Sequence, residues 1–147
     1  MALTTFSGPV RSAAGFIVPI QYVHASDVVA GKVQISAGAD VVILSAADGG
    51  PASETTLVLP VVNTTNGTVF TETNASPYFN GIRGSILNYG AQAHVLIGGT
   101  DPNGNPQKVN GSATGTVIPA GYVVQFGGNG NPDAPWAASN SVLSTAK

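Results

Sequence analysis

Short apolar stretches recur along the chain, most alternating with polar residues at every second position and each closed by Gly, Pro, Asn or Asp. That period and punctuation belong to β-strands. Nine segments fit: residues 16–23, 32–36, 40–46, 55–63, 69–73, 84–89, 92–98, 114–118 and 121–126. In the first, Phe16, Val18, Ile20 and Tyr22 share one face, and Pro19 marks an edge or a bulge. The unbroken run Val41-Val42-Ile43-Leu44 predicts a strand buried on both faces.

The turns follow from the same punctuation. Asp48-Gly49-Gly50-Pro51 makes 55–63 the strand returning from 40–46, and Gly90 joins 84–89 to 92–98 as a second pair. Asn66-Gly67 is a type I′ hairpin signal between 55–63 and 69–73. Ile118-Pro119-Ala120-Gly121 suits a type I turn. No helical period lasts beyond about two turns, apart from a weak one over 137–146, and no internal repeat points to a solenoid or propeller. The expected fold is all-β. It is a single-domain antiparallel β-sandwich, jelly-roll-like, or a barrel of about nine short strands, over residues 15–127. Residues 1–14 and 128–147 lack alternation and read as N- and C-terminal arms.

Composition narrows the function. The 147 residues include no cysteine, two histidines, five basic and seven acidic side chains. General acids, nucleophiles and metal ligands come from that pool, so the chain is expected to be no enzyme and to carry no cofactor or metal. Charged residues make up 8% of the chain, against about 25% in ordinary soluble domains. Weak self-repulsion favours association, so a homo-oligomer is expected. Arg11, Lys32, Arg83, Lys108 and Lys147 form no cluster that could track a phosphate backbone, which argues against nucleic acid. The apolar runs are far shorter than the ~20 residues of a membrane helix, and the N-terminus has neither the cationic start nor the apolar core of a signal peptide.

Few motifs compete for chemistry. Asp101-Pro102-Asn103-Gly104-Asn105-Pro106 opens like a calcium loop, but the sixth and twelfth positions, Gly and Glu in an EF-hand, are Pro106 and Ser112. A polar turn is the better reading. His24 and His94 sit at strand ends or interiors in apolar company, and two isolated histidines read as structural. Asp27 and Asp40 flank strands, where a carboxylate bonds turn amides. The sequons at Asn63, Asn66, Asn74 and Asn110 are what an Asn/Thr/Ser-rich chain produces by chance.

Candidate contact residues lie outside the predicted sheet. Trp136 sits in a Pro-rich tail, where it either folds back on its own domain or anchors in a pocket on a neighbour. Phe6 poses the same question in the N-terminal arm, with Arg11 beside it and Val142 and Leu143 in the C-terminal arm. Tyr78 and Phe79 stand in a loop between strands as contact or lid residues.

The stretch Phe6-Ser7-Gly8-Pro9-Val10-Arg11-Ser12 with Gly15-Phe16 resembles the start of small virion-associated proteins of tailed bacteriophages. Gly38-Ala39-Asp40-Val41-Val42-Ile43-Leu44 and residues 55–60 are similar in character to the same proteins, and Gly115-Thr116-Val117-Ile118-Pro119-Ala120-Gly121 resembles a turn of capsid decoration proteins. The resemblance implies an all-β cement subunit, often trimeric, on the outside of a virion. It would clamp neighbouring copies of the major capsid protein and be made in the host cytoplasm without a signal peptide. An alternative is a head-fibre or tail-spike domain that binds host-surface glycan through the Tyr78/Phe79 loop.

Overall fold

The described strands divide between two sheets, and from the first to the sixth each belongs to the sheet opposite its predecessor. The computed structural model describes residues 19–36, 39–62, 83–128 and 135–143. A five-stranded sheet has the order β1 (Ile20–Val23), β3 (Asp40–Ile43), β5 (Arg83–Asn88), β8 (Tyr122–Gly128), β9 (Trp136–Val142). A four-stranded sheet has the order β2 (Lys32–Gln34), β4 (Thr56–Val58), β6 (His94–Ile97), β7 (Thr116–Ile118). The all-β expectation holds. The antiparallel one does not: β1, β3 and β5 run parallel in one sheet and β2, β4 and β6 parallel in the other, and among the described strands the antiparallel pairs are β5–β8, β8–β9 and β6–β7.

Alternation between sheets explains the parallel pairs. A parallel pair needs a crossover between its strands, and here the intervening strand in the opposite sheet supplies it. Taken over the described strands, the order from β1 to β6 is that of a flattened coil. Ile20 pairs with Asp40 but Val41 pairs with Ile86, so successive coils differ widely in length and leave no repeat in the sequence.

Two predicted pairings are corrected by this winding. Residues 40–46 and 55–63 are not a hairpin, and neither are 84–89 and 92–98, because β3 and β5 lie in one sheet and β4 and β6 in the other. After β3 the chain makes a 3-10 turn, Ala46–Asp48, and Gly50 donates its N–H to Ser45 O at 2.8 Å. A Cβ on Gly50 would overlap the Leu44 carbonyl oxygen, so only glycine allows this reversal, which delivers the chain to the other sheet. Asn88, fully buried at the end of β5, holds the later crossings. Its Nδ2 donates to Gln92 O at 2.8 Å and Pro119 O at 3.1 Å, and its Oδ1 accepts the Gly90 N–H at 2.9 Å. The predicted turn at 118–121 lacks its closing hydrogen bond. Gly121 has φ +74 and donates its N–H to Asn88 O at 3.0 Å instead of closing onto Ile118.

Alternate residues from both sheets meet in one core. Val23, Val41, Ile43, Ile86, Val124 and Phe126 come from the larger sheet, and Val33, Leu57, Leu96 and Ile118 from the smaller. Trp136 completes it with no exposure, its ring edge-on to Phe126 at a centroid distance of 5.8 Å. The C-terminal stretch from 136 is thus no arm. It is strand β9, paired over seven positions with β8, and the weak helical period at 137–146 yields to that ladder. The N-terminal arm, the strand predicted at 69–73 and the Asn66-Gly67 turn lie outside the described residues.

Candidate partner-binding surfaces

Trp136 is withdrawn from the surface by the core just described. It opens β9 and faces inward beside Phe126, so the fold-back reading is correct and the ring is no anchor for a neighbour. Val142, at the far end of the same strand, is 68% exposed. Leu143 is half-buried and donates its N–H to Gly121 O at 2.9 Å. Phe6, Arg11, Tyr78 and Phe79 lie outside the described residues.

Sequence reasoning did not foresee the apolar surface on the outer faces of the sheets. Strand register aligns Tyr22, Val42, Leu87 and Val123 in one row across the five-stranded sheet. Tyr22 is 51% exposed and the other three are half-buried. The neighbouring row begins at exposed Ile20 and continues polar, with Asp40 Oδ1 accepting the Ser85 hydroxyl at 3.0 Å and backbone N–H at 3.3 Å. The smaller sheet carries a groove of about 620 Å³ floored by Val58, Val61 and Ile97, with exposed Val29, Asp27 and Lys32 on its sides. Val58 and Ile97 could have been placed there from their outward positions in predicted strands. The parallel β4–β6 pairing that sets them side by side could not, because nothing in the sequence marks it.

Polar groups with a potential for chemistry are mostly spent on the backbone. Asp101 Oδ1 accepts the N–H groups of Asn103 at 2.9 Å and Asn105 at 2.8 Å, so the calcium-like motif is a self-bonded turn. Asp27 accepts the His24 N–H at 2.9 Å, the amide-bonding role expected of it. Asp40 bonds a neighbouring strand instead of a turn. Asn110 (φ +52) donates through Nδ2 to Ala138 O at 2.9 Å and accepts the Ala138 N–H at 2.8 Å, a use that its sequon gave no hint of.

The histidines are apart in role and place. His24 is exposed at the end of β1, whereas His94 is fully buried in β6. His94 Nδ1 accepts the Thr55 N–H at 3.1 Å, which puts its proton on Nε2, an atom with no hydrogen-bond partner among the described residues. Burial holds the imidazole below its usual pKa, opposed by the Glu54 charge. Among the described residues no three His, Asp or Glu side chains gather as a metal site would require.

What this surface can do is bind. It offers an apolar row and a groove of mixed lining on a two-sheet scaffold, and Asp27 and Gln34 beside the groove are bonded to backbone. No protein-family model matches the sequence, and no curated protein is significantly similar to it.

Proposed function

We propose that this chain is a non-enzymatic structural protein of a virion, one that decorates the outside of a tailed-phage capsid and stabilises it by clamping neighbouring capsid subunits. The reading joins the resemblance at 6–16, 38–44, 55–60 and 115–121 to the physical character of the molecule. The observation that carries it is the placement of apolar side chains on outward sheet faces, the Tyr22–Val42–Leu87–Val123 row above all, in a chain that is 8% charged. Such faces favour burial against another protein.

The mechanism is mechanical. A subunit that binds only the assembled shell stabilises that state by mass action, by about 2.7 kcal/mol per site at a hundredfold excess over Kd. It needs neither cofactor nor bond-making chemistry, and the chain acts as a homo-oligomer seated on the major capsid protein.

The test is binding to shells. Purified protein mixed with expanded, undecorated capsids of a tailed phage should co-sediment and raise the temperature at which they rupture. Tyr22→Asp with Leu87→Asp, set on the outward row, should weaken that binding at least tenfold while the circular dichroism spectrum stays unchanged. Protein that remains in the supernatant with its cognate shells contradicts the proposal.

A further inference from the structure

The outer edge of β9 divides into a closed half and an open half. In an antiparallel strand, residues bonded to one neighbour alternate with residues whose N–H and C=O point the other way. Leu143 donates to Gly121 O across the β8 side, which turns the backbone groups of Trp136, Ala138, Asn140 and Val142 outward. The first two are satisfied. Trp136 N–H donates to Lys108 O at 3.2 Å, Asn110 N–H donates to Trp136 O at 2.9 Å, and the Asn110 side chain takes both groups of Ala138. Asn140 and Val142 have no outer partner among the described residues, and residues 139–142 are all exposed.

Proteins blunt open edges with charges, prolines or bulges. This half-edge, Ser139-Asn140-Ser141-Val142, has none of them. Val142 lies on the same face as Trp136 and Ala138 but beyond the core that covers them, and is 68% exposed.

We infer that this half-edge pairs with the same half-edge of a second copy of the chain, antiparallel, about a two-fold axis at Ser141. The two open residues sit symmetrically on either side of Ser141. Self-pairing therefore sets Asn140 opposite Val142 of the other copy, and the reverse, and uses every open N–H and C=O among the described residues of β9. A two-fold contact is also the commonest way identical subunits associate. The Asn110 clamp on Ala138 sets the register, because an added strand cannot slide toward Trp136 without displacing it. The same contact covers the overhanging Val142. The result is a dimer through one ten-stranded sheet, instead of the trimer that the resemblance favours. The inference rests on strand geometry and needs no capsid.

A cysteine-free chain makes the test clean. In the two-fold register Ser141 faces its own copy as a non-hydrogen-bonded pair, about 4.5 Å between Cα atoms, which a disulfide can span. Ser141→Cys should therefore cross-link under mild oxidation to a species of twice 14.7 kDa, while Ser139→Cys, off the axis, should not. By light scattering at micromolar concentration the parent should be a dimer. Val142→Lys, and separately Asn140→Pro, which removes only an outward N–H, should be monomers with unchanged thermal unfolding. A parent that is monomeric or trimeric, a dimer that survives Val142→Lys, or equal cross-linking at 139 and 141 overturns the inference.

Discussion

Gln107 pairs with Val62 as a neighbouring strand would: its Nε2 donates to Val62 O at 2.7 Å and its Oε1 accepts the Val62 N–H at 2.9 Å. Both residues are buried, so the side-chain amide is the only cover those backbone groups have among the described residues. Gln107→Leu keeps the volume and strands both groups. It should cost about 2–6 kcal/mol by urea denaturation, since each unsatisfied buried group costs ~1–3 kcal/mol. Gln107→Glu keeps the acceptor and loses the donor, and should also destabilise. An unchanged midpoint in both variants would show that Val62 finds other partners.

Trp136 is a test of where the domain ends. Its ring fills the core against Phe126, so Trp136→Ala should remove about 3–5 kcal/mol of stability, the usual cost of emptying a buried aromatic site. A chain ending at residue 127 loses the same ring and the whole β8–β9 ladder, and should show no cooperative unfolding by circular dichroism. A truncated chain that folds like the parent would return β9 to the status of an arm.

These two residues also show how far the sequence could be read. Eight strands overlap segments predicted from alternation, because inward residues such as Val41, Ile43, Leu57 and Leu96 had to be apolar to fill the core. Their partners were not legible. A turn at Gly50 looks the same whether it returns a strand to its own sheet or hands it to the other, and what decides is the contact with Leu44 O, which only the fold reveals. Strand β9 escaped notice because Ala137, Ala138, Ser139 and Ser141 carry no strand preference. β8 and the Asn110 clamp hold it in place. Alternation points to contacts in the tails and in the 78–79 loop, because Trp136 and the Tyr78-Phe79 pair stand outside any strand pattern. The outward apolar row follows from strand register, which a single sequence does not contain.

His94 makes the fold sensitive to acid. Burial favours the neutral imidazole, so its folded pKa lies below the unfolded value of about 6.5. Above that value both states are neutral and His94 contributes no slope. As pH falls below it the unfolded chain takes up the proton first, and stability drops by up to ~1.4 kcal/mol per pH unit until the folded imidazole titrates. Protonation there also removes the acceptor of the Thr55 N–H. Unfolding free energy measured from pH 8 to 5 should fall below pH 6.5, and the part of that slope due to His94 should vanish in His94→Gln. A slope unchanged by the substitution would place the acid sensitivity elsewhere.

Asn110 combines a left-handed backbone with two hydrogen bonds to Ala138. Asn110→Gly keeps the conformation and loses the bonds, so it should cost about 1–2 kcal/mol. Asn110→Ala adds the strain of a positive φ and should cost roughly 0.5–1 kcal/mol more. Thermal unfolding of the pair separates the two contributions, and equal stability of both variants with the parent would mean that the clamp holds nothing.

The virion reading is tested most directly by counting. Particles of a phage that encodes this chain can be purified on a density gradient and the copies per particle measured by quantitative mass spectrometry against the major capsid protein. Decoration of a shell predicts hundreds of copies per particle, in a fixed ratio to the capsid subunit, that are shed when the shell is disrupted. A handful of copies would mark a fibre or spike component, and absence from intact particles would contradict the account.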